Sequence, residues 1–225
     1  MDGNLKVILW DIDGTILNTG GAGVEPLLNA IRKCSDIKPD FDRDSFSGLT
    51  DHQIVHKLLI QNEIEATPNL IAAILNEYEL HLPQALANGK ITLLNEFHLF
   101  LDYLNRELNF TNAIATGNTL NGAIAKLQSV NLLSAFEFKF CSEGLKPRSD
   151  IIKNAIEYFP KNSKFCVIGD TPHDIEAAKF NNIPVIGTAS GSYTTDELSK
   201  YHPDSCLIKN WEFDSLINTL KSIFK

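Results

Sequence analysis

The stretch KVILWDIDGTILNT, residues 6–19, decides the fold of this chain. Its apolar run from Val7 to Trp10 has the length and composition of a strand that is buried on both faces. Two aspartates spaced by one residue, Asp11 and Asp13, follow the run directly. In an open parallel sheet, ligands bind at the carboxyl ends of the strands. The stretch therefore predicts a parallel sheet with an acidic site at its edge.

The rest of the chain alternates short apolar runs with amphipathic stretches. The runs predict strands at NAIAT (112–116), FEFKFC (136–141), KFCVIGD (164–170), PVIGTA (184–189) and CLI (206–208). Apolar side chains at helical spacing lie between them: Leu93, Phe97, Phe100, Leu101 and Leu104, then Ile124, Leu127, Val130 and Leu132. This alternation predicts an α/β fold with a doubly wound parallel sheet.

One long segment breaks the alternation. Residues 20–88 show helical patterns without a convincing strand, and glycines lie at both ends, in GGAG (20–23) and ANGK (87–90). Glycine permits a hinge at such a boundary. We interpret residues 20–88 as a helical insertion within a core domain formed by residues 1–19 and 89–225.

Charge and hydropathy restrict the class of function. The 225 residues include 20 Lys+Arg and 28 Asp+Glu, so the surface repels polyanions and we expect no nucleic-acid partner. The N-terminal MDGNLK lacks a basic segment before an apolar one, and no run approaches the roughly 18 apolar residues of a membrane span. We therefore expect a cytoplasmic protein with no membrane partner. The sequence leaves open whether it is a monomer or a homodimer.

Four polar motifs fall at the ends of predicted strands. They are DIDGT (11–15), TGN (116–118), KPRSD (146–150) and GDTPHD (169–174). Together they supply carboxylates, a hydroxyl with adjacent backbone donors, and cations, which is the set that phosphoryl transfer requires.

The acidic residues of these motifs predict a metal site. Asp11 and Asp13 point the same way on an extended segment, so one can attack a substrate while the other handles protons. Asp170 and Asp174 would bring two more carboxylates to the same cleft, where the four charges repel one another unless a cation neutralises them. Oxygen ligands with open positions favour Mg²⁺.

Taken together, the motifs resemble the haloacid dehalogenase-like hydrolase superfamily, and within it the phosphoglycolate phosphatase-like branch. The resemblance covers nearly the whole chain, and it implies that residues 20–88 are the family's helical cap on a catalytic core of residues 1–19 and 89–225. It also implies Mg²⁺-dependent hydrolysis of a small phosphorylated metabolite, a phosphomonoester, through an aspartyl phosphate. It implies that Asp11 is the nucleophile and that Asp13 protonates the leaving oxygen and then activates water. Thr116 and Lys146 complete the implied catalytic set. The implied phosphate-binding residues are Gly14, Thr15, Thr116, Gly117, Asn118, Lys146 and Arg148, and the implied metal ligands are Asp11, the Asp13 carbonyl, Asp170 and Asp174.

The cation of the KPRSD motif is where the chain departs from the family pattern. That pattern places a second proline two residues after Lys-Pro, whereas Lys146 and Pro147 are followed here by Arg148 and Ser149. We assign Lys146 as the cation that offsets the phosphoryl charge, with Arg148 as its substitute or as a solvent-facing neighbour. The two side chains would hold phosphate differently, because an ammonium is flexible and a guanidinium is planar.

Two alternative functions stay open at this point. A sugar phosphomutase has the same core and cap but usually carries a basic cluster in the cap, whereas Arg32, Lys33, Lys38, Arg43 and Lys57 are dispersed. A non-enzymatic receiver-type module also becomes phosphorylated on an aspartate at a sheet edge, but such a module is shorter and has no cap. In the cap, SGLTDHQI (47–54) either reaches the substrate or starts a helix with Thr50 or Asp51 as the N-cap residue.

Overall fold

The computed structural model describes residues 4–94, 97–207 and 213–225, and the side chains of Arg43 and Asp44 lie outside this description. Strand β1, Lys6–Trp10, forms the centre of the fold. Its residues from Val7 to Trp10 have no exposed surface. It pairs in parallel with β4, Thr111–Ala115, on one side and with β6, Lys164–Gly169, on the other.

In the part of the chain that the structure describes, six parallel strands form the main sheet, in the order β5-β4-β1-β6-β7-β8. The outer strands are β5 (Phe138–Phe140), β7 (Val185–Thr188) and β8 (Ser205–Leu207). After β1, the chain forms β4 and β5 on one side of it and then β6, β7 and β8 on the other, so the strand order reverses at β1. The predicted doubly wound α/β fold is confirmed, and Asp11 and Asp13 lie at the switch point, where such sheets bind ligands.

Helices cover both faces of this sheet. They are α5 (Phe97–Arg106), α6 (Leu120–Ser129), α7 (Arg148–Tyr158), α8 (Pro172–Phe180), α9 (Thr195–Ser199) and α10 (Phe213–Ile223). Alternate residues of β1 enter opposite cores, because successive strand side chains point to opposite faces. Ile8 and Trp10 pack in the cluster formed with α5, α6 and α10, while Val7 and Leu9 pack in the cluster formed with α7 and α8.

The helical segment is connected to the sheet by a short two-stranded ribbon. Strand β2, Leu17–Asn18, pairs antiparallel with β3, Thr92–Leu93. Between them lie α1 (Val24–Ser35), α2 (Arg43–Phe46), α3 (Asp51–Gln61) and α4 (Pro68–Asn88). These helices form a third hydrophobic cluster, which includes Ile31, Leu58 and Ile74. We refer to residues 20–88 as the cap, and its boundaries as a domain stay a prediction.

Several element boundaries differ from the sequence patterns. Leu93 lies in β3 rather than on the face of α5, and Val130 and Leu132 follow the end of α6. Strand β5 is shorter than predicted, because Phe136 is the C-cap residue of a 3₁₀ turn, Leu133–Ala135, and the strand begins at Phe138. The predicted strand CLI begins within β8, but its last residue, Ile208, lies outside the described residues. None of the described helices combines the length and the apolar character needed to cross a membrane.

Candidate active site

The loop after β1 carries the first two acidic residues into a cleft. Asp11 is 4% exposed, and its backbone amide donates to the carbonyl of Ile168 in β6 at 3.0 Å, which fixes the residue at the sheet edge. Gly14 follows with a φ of +79°, a conformation that residues with a Cβ rarely adopt. A Cβ on Gly14 would collide with the carboxylate of Asp170. The DIDGT motif therefore requires glycine where the loop passes the end of β6.

Three buried carboxylates meet in this cleft. Asp11, Asp170 and Asp174 each offer an oxygen, and these oxygens lie within 4.8 Å of one another. Asp170 follows β6, and Asp174 lies in the first turn of α8. The hydroxyl of Thr171 donates to the Oδ2 of Asp174 at 2.7 Å and orients that carboxylate. The structure thus brings together the side chains of three of the four predicted metal-binding residues.

The electrostatics of this group fit a hard cation. Burial raises the pKa of Asp11 to about 6, opposed by Arg148 and reinforced by the charges of Asp174 and Asp13. Burial, followed by the charges of Asp11 and Asp174, raises the pKa of Asp170 well above its usual value. Excess negative charge with oxygen donors alone is the environment that Mg²⁺ prefers. The residues present therefore fit the metal that the resemblance implies.

Of the two cations in the KPRSD motif, Arg148 rather than Lys146 lines the cleft. The Nη2 of Arg148 lies 2.6 Å from the Oδ1 of Asp11 and 2.6 Å from the Oδ1 of Asp174, and the side chain is 8% exposed. Arg148 is the first residue of α7, and side chains there are directed back toward the helix N-terminus. Lys146 precedes the helix, is mostly exposed and lies 3.4 Å from the Oε2 of Glu143. The structure therefore does not bring Lys146 to the site, in contrast to our assignment.

Asp13 has a cationic partner that the sequence analysis missed. The Nζ of Lys126 donates to the Oδ2 of Asp13 at 2.6 Å and to the Oδ1 of Asn118 at 2.5 Å. Burial raises the pKa of Asp13, but the charge and hydrogen bond of Lys126 outweigh it and the pKa is lowered. Lys126 is buried on α6, which begins just after the TGN motif. The available signal was a lysine one helical turn after the small residues Gly122 and Ala123, which share its helical face.

The TGN motif lies beside the two aspartates. Thr116 is fully buried at the end of β4, and its Oγ1 accepts a hydrogen bond of 2.8 Å from the side-chain amide of Asn118. The same amide donates to the Oδ2 of Asp13 at 2.8 Å. Thr116, Gly117 and Asn118 all line the cleft, as does Gly14. Thr15, which we expected to bind phosphate, instead donates to the Oδ1 of Asp170 at 3.3 Å and does not line the cleft.

Part of the cap lining comes from the segment that leads into α3, residues 47–51. The amide of Asp51 donates to the carbonyl of Gly117 at 2.9 Å, and its Oδ2 accepts from the amide of Thr119 at 2.8 Å. Thr50 is the N-cap residue of α3 and forms a capping box with Gln53. The segment SGLTDHQI therefore both starts a helix and reaches the cleft. The cavity between core and cap has a volume of about 320 Å³ and is open to solvent on one side.

Comparison with known proteins agrees with this geometry. Residues 8–188 match the sequence profile of the haloacid dehalogenase-like hydrolases. The chain belongs to this family. The matched range begins in β1 and ends with β7, so it includes every motif that contributes to the cleft. The predicted membership and hydrolase class are confirmed.

The individual relatives are distant in sequence, but the matches extend over most of both chains. The chain is 25% identical over 209 residues to the protein named probable phosphatase IndB of Dickeya dadantii, covering 88% of this chain and 86% of that one. A solved β-phosphoglucomutase from Clostridium difficile is 16% identical with a TM-score of 0.74, covering 98% and 99% of the two chains. A solved protein of Haemophilus somnus, described as a predicted phosphoglycolate phosphatase, is 17% identical with a TM-score of 0.69, covering 97% and 99%. The structural likenesses confirm the fold of core and cap together.

Proposed function

We propose that this hydrolase is a Mg²⁺-dependent phosphatase that cleaves the phosphomonoester of a small metabolite through an aspartyl phosphate. The observation that carries the proposal is the arrangement of two differently partnered aspartates at the end of β1. Asp11 contacts Arg148 and the other metal-binding carboxylates, whereas Asp13 contacts Lys126 and Asn118. The name of the Dickeya dadantii relative, a probable phosphatase, supports the same activity.

In the first proposed step, an oxygen of the Asp11 carboxylate attacks the phosphorus of the ester. The bond from phosphorus to the leaving oxygen breaks. Asp13, which its lowered pKa leaves ionised, first takes the acidic proton of a monoanionic ester and then delivers it to that oxygen. Arg148 and the Thr116 hydroxyl lie beside Asp11 and are placed to hold equatorial phosphoryl oxygens. A magnesium ion bound by Asp11, Asp170 and Asp174 would screen the charge of the phosphoryl group from the nucleophile.

In the second step, Asp13 takes a proton from a water molecule. The water oxygen attacks phosphorus, and the bond to Asp11 breaks with the Asp11 carboxylate restored. Inorganic phosphate then leaves with the proton that Asp13 returns to it. Lys126 and Asn118 hold the Asp13 carboxylate in place through both steps. A cavity of about 320 Å³ next to Asp11 favours an enzyme with a small substrate over a receiver-type module.

The test is release of inorganic phosphate from p-nitrophenyl phosphate and from a panel of phosphorylated metabolites, with and without Mg²⁺. The proposal expects free phosphate in amounts equal to the alcohol produced. A sugar phosphomutase would instead return a sugar phosphate isomer without net phosphate release. Absence of hydrolysis across the panel, with a folded and Mg²⁺-loaded protein, would refute the proposal.

A further inference from the structure

The cap side of the cleft differs in chemistry from the core side, and this difference bears on the substrate. We propose that the leaving group is a small, neutral alcohol with a flat apolar ring, and that phosphate esters with a second anionic group are poor substrates. This inference rests on the proposed phosphatase function and names the substrate class of that site.

An apolar wall faces the reacting groups. Phe41 and Phe46 stack with ring centroids 5.0 Å apart and an angle of 5° between the ring planes. Val24, Leu49 and Ile54, which also belong to the cap, line the same cavity. Phe46 is buried, whereas the other four side chains are only partly covered and keep surface available to a ligand. We refer to these five side chains as the apolar wall.

The size and shape of the wall suit a single ring. Phe41 stacks on the buried Phe46 and is itself only partly covered, so the Phe41 ring keeps aromatic surface next to the cavity. Aromatic groups prefer offset stacked or edge-to-face contact with such a ring. Covering apolar area stabilises the complex by about 25 cal/mol per Å². The cavity, at about 320 Å³, is near the lower end of ligand sites, so the ring and the phosphoryl group together leave little unused space.

The charges of the lining argue against a second anion. Among the described side chains that line the cavity, the cations are Lys126 and Arg148. Both already pair with aspartates of the core, at 2.6 Å. The charged group that the cap contributes to the described lining is an acid, Asp51. An anionic leaving group would therefore lose water next to a carboxylate, which is unfavourable without a compensating cation.

The described basic side chains of the cap are engaged elsewhere or exposed. Arg32 pairs with Glu25 at 3.1 Å, and Lys33 pairs with Glu77 at 2.8 Å. Lys57 donates to the carbonyl of Ser45 at 2.8 Å, and its Nζ lies 4.8 Å from the centroid of the Phe46 ring. Lys38 is exposed and does not line the cavity. The remaining cap cation is Arg43, whose side chain lies outside the described residues, so an Arg43→Ala variant belongs in the test.

The experiment compares benzyl phosphate with 4-carboxybenzyl phosphate at pH 7.5. The two esters have similar leaving oxygens and differ in a carboxylate at the far side of the ring. We expect kcat/KM to be at least about tenfold higher for benzyl phosphate. In Asp51→Asn, which keeps an acceptor for the Thr119 amide, this ratio should fall at least about threefold because the repulsive charge is removed.

A second comparison tests the wall itself. Phe41→Ala should reduce kcat/KM for benzyl phosphate at least about fivefold more than for ethyl phosphate, because only the ring loses contact. Phe41→Leu keeps an apolar side chain without the ring and supplies the same comparison if Phe41→Ala does not fold. Phe180→Ala is the matched control, since Phe180 is 75% exposed on α8, away from the cavity lining, and should not alter either ratio.

The outcomes separate the two proposals. Hydrolysis of ethyl phosphate with equal or higher activity on the carboxylated ester would overturn the substrate class and leave the phosphatase function intact. If the parent protein prefers the carboxylated ester and Arg43→Ala loses this preference, Arg43 is the anion-binding group. That result would also overturn the proposed substrate class. No hydrolysis of any ester would instead refute the proposed function.

Discussion

The core half of the cleft is lined by paired charged side chains, whereas the cap half is lined mostly by apolar ones. In the core half, charged side chains are paired at short range: Asp13 with Lys126, and Asp11 with Arg148, each at 2.6 Å. In the cap half, the described lining is apolar apart from small and polar residues and Asp51. In our proposals, the strand ends supply the chemistry and the cap selects the substrate. The predictions below test this division, beginning with the core.

The largest effect is expected from Asp11→Asn, which removes the attacking charge while keeping the size of the side chain. We expect kcat to fall at least about 10³-fold, equivalent to about 4 kcal/mol of barrier. Asp102→Asn is the control, because Asp102 is exposed on α5 and lies 3.9 Å from Arg106. A folded Asp11→Asn protein free of deamidation that keeps most of its activity would place the nucleophile elsewhere.

Metal removal should have the next largest effect. The clustered charges of Asp11, Asp170 and Asp174 need a cation, so EDTA should lower the rate at least about 100-fold and Mg²⁺ should restore it. Excess Ca²⁺ should inhibit, because its larger and looser coordination misplaces the nucleophile. Rates of phosphate release before and after chelation measure this. Full activity after exhaustive chelation would show that the acidic group does not depend on a metal.

The pair Arg148 and Lys146 tests which cation belongs to the core half. Arg148→Ala should lower kcat/KM about 50-fold. Arg148→Lys should recover part of this loss, because lysine restores the charge but not the planar guanidinium that can form two parallel hydrogen bonds. Lys146→Ala, the matched variant at an exposed position, should change kcat/KM less than about threefold. The opposite ranking in steady-state assays would restore the assignment made from the sequence pattern.

Asp13 should matter in proportion to the basicity of the leaving group. A departing alkoxide needs a proton, whereas p-nitrophenolate hardly does. In single-turnover phosphoenzyme formation, Asp13→Asn should therefore slow ethyl phosphate at least about tenfold more than p-nitrophenyl phosphate. Equal losses for the two esters would remove the acid role from Asp13.

A smaller effect tests the contact between cap and core. Burial raises the pKa of Asp51 from 3.8 to about 6, although Lys126 and the Thr119 amide oppose the shift. The unfolded chain releases the Asp51 proton near pH 3.8, whereas the folded protein holds it up to about pH 6. Asp51 therefore adds most to the free energy of unfolding below pH 3.8, and this contribution is lost as the pH rises through about 6. Asp51→Asn should therefore gain about 1 kcal/mol of unfolding free energy relative to the parent between pH 4 and 7.

Urea unfolding of both proteins across that range measures the effect. Asp196→Asn, an exposed aspartate in the first turn of α9, is the control. A difference between Asp51→Asn and its parent that does not change with pH would show that Asp51 ionises normally in the folded protein.

The core could be predicted from the sequence because local patterns determine it. A run of four apolar residues predicted the buried strand β1, and the Asp pair that follows it, together with GDTPHD, placed three carboxylates at one sheet edge. Parallel strand ends meet at one edge of the sheet in any doubly wound fold. The position of Asp11 and Asp170 thus follows from motif and fold class alone.

The partners of those aspartates depend on where helices begin, which the patterns do not define. Pro147 is the N-cap residue of α7, so Arg148 falls on the first turn and reaches the cleft while Lys146 stays in the loop. Lys126 lies eight residues beyond Asn118 and meets it only because α6 folds back over the motif. The apolar wall likewise joins residues from α1, α2 and the segments before and within α3, which share no local pattern.

The most direct test of the central claim is to trap the covalent intermediate. Enzyme mixed with excess p-nitrophenyl phosphate and Mg²⁺ is quenched in acid within one turnover, reduced with borohydride, digested and analysed by mass spectrometry. We predict that the peptide containing residues 6–19 carries the reduced product at Asp11 and not at Asp13. Rapid turnover with an unmodified Asp11, or with modification at a different residue, would contradict the account.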